Sequence, residues 1–228
     1  MNDIDKNINN IRTRIDDAAK KAGRSGKDVQ LMAVSKTKTR EQLEAAYRAG
    51  LRLFGENRVQ EAYDKYENFY PDARLHIIGH LQSNKAKQAV EIACCVQSID
   101  KLKTARELEK RCAAIDKQMD VFMEFNTSGE DSKSGYLSKD SMYSDMEQIA
   151  LFPHLHIRGL MTIGPFTDNS DAIRRAFAQL KSYYEESKER FPELPIEQLS
   201  MGMTSDFEIA VEEGSTMVRI GTALFGSR

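Results

Sequence analysis

Cysteine is scarce in this chain. The 228 residues hold three, Cys94, Cys95 and Cys112, two of them adjacent. An odd number in that arrangement excludes the paired framework of a small secreted domain and suits a reducing cytoplasm. No apolar run approaches the ~20 residues of a membrane-spanning helix. Met1 to Asn10 is polar and mixed in charge, without the apolar core of a signal peptide. Neither sign of charge dominates: 33 lysines and arginines stand against 35 aspartates and glutamates, a formal net charge of -2. That balance leaves no electrostatic footprint for nucleic acid or an anionic membrane. Linkers rich in proline, glycine or serine are also missing, so one domain over residues 1–228 is expected. A Gly-x-Gly-x-x-Gly after the first strand, the mark of a dinucleotide-binding open sheet, is absent too.

What is present is a regular alternation of strand and helix patterns. Apolar residues at helical spacing from Ile4 to Ala22, ending at Gly23, predict an amphipathic N-terminal helix. From Val29 onward short apolar runs alternate with helical patterns. Predicted strands cover 29–36, 53–57, 75–81, 95–99, 120–126, 157–163, 198–203 and 217–224. Strand–helix alternation implies parallel βαβ units, and about eight of them imply a single (β/α)8 TIM-type barrel with an extra N-terminal helix. The length fits a barrel with few insertions, for which ~250 residues is typical.

Barrels place their chemistry at the C-terminal ends of their strands. That rule singles out Lys36, Asn57, His80, Ser98, Asn126, Gly164, Ser200-Met201-Gly202 and Arg219-Ile220-Gly221-Thr222. Lysine at the end of a buried strand is costly unless its amine is used, and burial favours the neutral form that attacks a carbonyl. Taken by itself, the stretch favours the simpler reading that Lys36 has reached solvent; on the functional rim a Schiff-base role gains weight. Ser200 and Gly202 after the seventh strand, with Gly221 and Thr222 after the eighth, offer hydroxyls and backbone amides to a phosphate. Arg219 alternates with Val218 and Ile220, so it points to the opposite face, where its acceptor would be a ring nitrogen or a carboxylate. His154 and His156 lack an evident third metal ligand. The segment Gly129–Gly135 reads as a rim loop, and the role of Lys133 in it stays open.

Three blocks carry a family resemblance: Ala33-Val34-Ser35-Lys36-Thr37, Phe54-Gly55-Glu56-Asn57-Arg58-Val59-Gln60-Glu61, and His76-Ile77-Ile78-Gly79-His80-Leu81-Gln82-Ser83-Asn84-Lys85. Further blocks follow in order. They are Gly129-Glu130 with Ser132-Lys133-Ser134-Gly135, Arg158-Gly159-Leu160-Met161, Leu199-Ser200-Met201-Gly202-Met203, and Val218-Arg219-Ile220-Gly221-Thr222 running to Phe225-Gly226. Together they resemble the pyridoxal phosphate homeostasis proteins, relatives of the alanine racemase N-terminal domain. Thr204, where that family usually has serine, and Asp131 are the departures.

The resemblance implies pyridoxal 5'-phosphate held as an aldimine on Lys36, with Arg219 facing the pyridine nitrogen. It places Ser200, Gly221 and Thr222 at the phosphate and Asn57, His80, Met161 and Met201 around the pocket. It also implies a carrier or buffer of the cofactor that influences amino-acid and keto-acid balance and passes the cofactor to apo-enzymes. A monomer is expected. An amino-acid racemase is the main alternative, and a Schiff-base aldolase a third. The sequence reaches Arg228 without the second domain that supplies a tyrosine base in alanine racemase, and an arginine at the ring nitrogen weakens carbanion stabilisation. The expectation is therefore a binding protein with at most weak side activity.

Overall fold

The computed structural model describes residues 3–130 and 132–226; Asp131 lies outside the described residues. Eight parallel strands close into a barrel in sequence order: β1 Gln30–Val34, β2 Leu53–Glu56, β3 Arg74–Ile77, β4 Cys95–Ile99, β5 Met119–Glu124, β6 Leu155–Met161, β7 Gln198–Ser200 and β8 Met217–Ile220. Helices lie between them and at both ends: α1 Asp3–Lys21, α2 Arg40–Arg48, α3 Val59–Tyr66, α4 Ala86–Ile92, α5 Leu102–Ala113, α6 Lys139–Ile149, α7 Ser170–Arg190, α8 Phe207–Glu212 and α9 Thr222–Phe225. Among the described residues no helix is long and apolar enough to cross a membrane.

The two-residue period of a strand sorts its side chains into two cores. Val121 and Met123 of β5 join the large core between barrel and helices. Phe122, between them, joins the smaller core inside the barrel, with Met32, Leu53, Met161 and Met217. Leu199 and Met201 flank Ser200 in the same way, and Val218 and Ile220 flank Arg219. Helix α1, with Ile8, Ile11 and Ile15 buried, packs against α8 and α9. It is tied there by Arg14 to Glu208 at 2.8 Å and by Asn7 Nδ2 to the Leu224 carbonyl at 2.9 Å.

Several strands end earlier than the sequence predicts, always on the C-terminal side. β7 stops at Ser200 because Gly202 has φ +96°, where a Cβ would meet that of Ala210 at 2.6 Å. β8 stops at Ile220, since Gly221 turns the chain directly into α9. β3 stops at Ile77, and a Cβ on Gly79 would meet the Asn57 carbonyl oxygen at 2.4 Å. The rim is therefore deeper than the run of apolar residues suggests.

Candidate functional site

Across the C-terminal mouth of the barrel lies a cavity of about 560 Å³, within the usual range for small-molecule sites. Lys36, Asn57, His80, Arg219, Gly221 and Thr222, all expected at a site, line it together. Glu124, the rim residues Ser132 to Ser134 and the β7–α8 residues Met203, Thr204 and Ser205 complete its wall. A second cavity, of about 460 Å³, opens at the opposite end beside Arg12, Lys27 and Arg52. That end of a barrel carries stability in preference to chemistry.

Lys36 is exposed, since β1 finishes two residues before it. Its neighbours are held tightly. Lys65 Nζ donates to the Ser35 carbonyl at 2.7 Å and to Glu56 Oε1 at 3.0 Å. Ser35 Oγ lies 2.7 Å from Glu56 Oε1 and 2.8 Å from the Tyr66 hydroxyl. On the other side Thr37 takes φ +63°, a left-handed conformation uncommon for threonine, and its N–H donates to Glu61. Lys65 also binds Glu61 at 2.5 Å. The peptide groups before and after Lys36 are thus clamped by α3, which directs the side chain at the cavity. Burial, opposed by the Ser35 hydrogen bond, raises the Glu56 carboxyl above its ordinary range.

Arg219 is 4% exposed. One guanidinium nitrogen donates to Ser200 Oγ at 2.7 Å and the other to the Thr162 carbonyl at 2.6 Å. Burial pushes its pKa down to about 10, against the pull of Asp206 and Glu124. Ser200 Oγ in turn lies 2.7 Å from Gln97 Oε1, and Gln97 Nε2 lies 2.8 Å from His76 Nδ1. Burial drives the His76 pKa down to about 3, so the ring is neutral near pH 7.

Three expected site residues do not reach the cavity. Ser200 is fully buried beneath Arg219 with its hydroxyl committed to Arg219 and Gln97; the hydroxyls on the wall are those of Thr204, Ser205 and Thr222 instead. Met201 sits one residue out of phase and faces the helices. Met161 faces inward but is fully covered. His154 pairs with Glu109 at 2.8 Å, away from the cavity.

Glu124 was not flagged by the sequence. It follows Phe122 on the inward face of β5, is 4% exposed, and its Oε2 has no hydrogen-bond partner among the described residues. Burial first, then the Asp100 charge, raises its carboxyl to about 7, with Arg219 opposing. The available signal was its position: two residues beyond an inward phenylalanine and near the strand's C-terminal end. Asn126, just past β5, organises the rim loop: its Nδ2 donates to the Glu130 carbonyl at 2.9 Å and its Oδ1 accepts from the Gly129 N–H at 3.1 Å. Lys133 is held by Glu130 at 2.6 Å and by the Gly164 carbonyl at 2.8 Å. Ser134 and Asp100 both reach His80 Nδ1, at 3.3 and 3.1 Å.

This chain is similar over its whole length to proteins already characterised by name. Residues 6–228 match the family described as alanine racemase, N-terminal domain. The "Pyridoxal phosphate homeostasis protein" of Pasteurella multocida is 42% identical over 228 residues, spanning 99% of this chain and 97% of that protein. Its namesake from Escherichia coli is 39% identical over 234 residues, spanning 100% and 98%. The structure of PipY from Synechococcus elongatus with pyridoxal phosphate (PLP) bound superposes with a TM-score of 0.86 at 33% identity, covering 98% of this chain and all of that one. Alanine racemase of Clostridium difficile shares the fold alone, at 12% identity and a TM-score of 0.72, with 56% of its length matched. The chain belongs to the alanine racemase N-terminal domain family, and within it to the pyridoxal phosphate homeostasis proteins.

Proposed function

We propose that this protein binds pyridoxal 5'-phosphate reversibly and serves intracellular homeostasis of that cofactor, as a carrier or buffer. One observation carries the reading: a single cavity brings together a rim amine, Lys36, a buried guanidinium, Arg219, and the hydroxyls of Thr204, Ser205 and Thr222. An aldehyde, a ring nitrogen and a phosphate on one small molecule match those three groups. The donor set therefore fits the cofactor. Lys36 would hold it covalently, Arg219 would donate to the ring nitrogen, and Gly221, Thr222, Thr204 and Ser205 would receive the phosphate. Asn57 and His80 would border the ring. Ser200 acts behind Arg219, and Met161 and Met201 support the wall from within the packed cores.

When bound, the cofactor supplies an electrophilic aldehyde and a ring able to accept electron density. Arg219 has only donors to offer the ring nitrogen. It would leave that nitrogen unprotonated and the ring a weak electron sink, which would favour holding the cofactor over turning amino acids over. We further propose one PLP-binding domain over residues 1–228, a monomer in a reducing cytoplasm, and apo-enzymes as acceptors. Three cysteines without a disulfide agree with that compartment.

The test is an absorption spectrum of the purified protein with the cofactor, followed by borohydride reduction and peptide mapping. One equivalent should attach at Lys36, and Lys36→Ala should lose the visible band. An adduct found only on Lys38 or Lys133 overturns the assignment. Chiral analysis with several amino acids decides between carrier and racemase: turnover of ~1–10³ s⁻¹ on any of them rejects the carrier reading.

A further inference from the structure

The interior of the barrel contains a hydrogen-bond chain whose direction is set by its chemistry. A guanidinium has N–H donors and no acceptor, so Ser200 Oγ must accept from Arg219. The single hydroxyl proton of Ser200 is then free to go to Gln97 Oε1, 2.7 Å away. That turns the carbonyl end of Gln97 toward Ser200 and its amide nitrogen toward His76 Nδ1, at 2.8 Å. An amide orientation is assigned by such a network. With Gln97 reversed, the Ser200 proton would have no acceptor and a buried polar group would be lost. The imidazole is left accepting at Nδ1, so its one proton resides on Nε2, which is buried without a hydrogen-bond partner among the described residues whichever way the amide points; reversal would strand the Ser200 proton in addition. Gln97, Ser200, His76 and Arg219 are all at most 4% exposed.

We infer that Gln97 is a positioning residue: by accepting the Ser200 proton it commits that hydroxyl's lone pair to Arg219, and so holds the guanidinium in the orientation it offers to a bound ring. The last clause rests on the pyridoxal phosphate reading of the cavity; the direction of the chain does not. Gln97 stands on β4, Ser200 on β7 and Arg219 on β8, so the chain crosses the barrel interior and is independent of the rim loops.

The test compares wild type with Gln97→Met, which keeps the volume and removes both hydrogen bonds, and Gln97→Glu. The carboxylate in the second variant accepts from Ser200 and from a His76 whose proton has moved to Nδ1. Two readouts are taken. Nitrogen-15 NMR of the protein without cofactor reports the His76 tautomer, expected as Nε2–H in wild type and Nδ1–H in Gln97→Glu. Release of pyridoxal phosphate, followed by absorption, is expected to be about tenfold faster in Gln97→Met and restored to within a few-fold in Gln97→Glu. A residue that merely fills space gives the reverse order, with the apolar substitution tolerated and the buried carboxylate damaging. Ser200→Ala should accelerate release like Gln97→Met, and the double variant should add little, because both cut one chain; this arm decides the matter if the glutamate variant does not fold. Wild-type release from Gln97→Met, additivity of the two substitutions, or Nδ1–H in wild type overturns the inference. If wild type does not bind pyridoxal phosphate, the cavity reading fails together with the ring half of the inference, while the tautomer still decides the direction of the chain.

Discussion

Below about pH 7, folded Glu124 keeps a proton that the unfolded chain would release above the ordinary carboxylate range. Its carboxyl is raised to about 7, foremost by burial. An acid with a raised native pKa binds its proton to higher pH when folded than when unfolded. The associated stability is complete below the ordinary carboxylate range and is lost as pH rises through the native value. Glutamine is neutral at every pH and nearly the same shape. Without ligand, wild type should therefore lose up to roughly 3 kcal/mol relative to Glu124→Gln between about pH 5 and about pH 8. Thermal melts of the two proteins at both pH values measure this, and parallel behaviour contradicts it. The same residue shows what a sequence withholds. Glutamate near the end of a strand is commonplace, and only closure of the barrel turns this one inward beside Arg219.

The clamp around Lys36 belongs to the scale of elements, since β1, β2 and α3 each supply part of it. Lys65, 14% exposed, is the cation facing Glu56, whose side chain is 0% exposed. Lys65→Met keeps the stem of the side chain and abandons a buried carboxylate. Breaking one partner of such a pair costs about 3–5 kcal/mol, and chemical denaturation should report a loss of that order. Cofactor attachment at Lys36 should slow as well, because the Ser35 carbonyl loses its donor. Unchanged stability would mean that Glu56 is already protonated when folded. The existence of β1 and α3 was legible from apolar spacing alone, whereas their joint grip on Thr37 was not. A threonine at φ +63° has no local signature, and its cause is a carboxylate 24 residues away.

For the molecule as a whole, α1 links stability to the site. It packs on α8, which follows the loop offering Thr204 and Ser205, and on α9, which begins at Thr222. Ile11 on its inner face is 1% exposed, and Ile11→Ala should cost about 2–5 kcal/mol by leaving a cavity. Loosening both helices should also shift cofactor affinity more than an equally destabilising change under α5, such as Leu108→Ala, on the far side of the barrel. Equal effects on affinity at matched loss of stability would show that α1 is structural only.

Strand–helix alternation, the closed eight-fold order and the gathering of Lys36, Asn57, His80, Arg219 and Thr222 at one mouth were set by local sequence. They depend on periodicity and on one rule about strand ends, both carried by neighbouring residues. The inward aim of Arg219 follows equally from the two-residue period of β8. What only the tertiary structure decided is which groups at that mouth remain available. Ser200 is consumed by Gln97 and Arg219, partners 103 and 19 residues away, and Thr204 and Ser205 take its place on the wall. Met201 is turned outward by one position of register, and Met161 is covered by packing. Glu124 Oε2 is left without a hydrogen-bond partner among the described residues. Availability depends on what else the closed barrel brings within hydrogen-bonding reach, and that information is distributed over the whole chain.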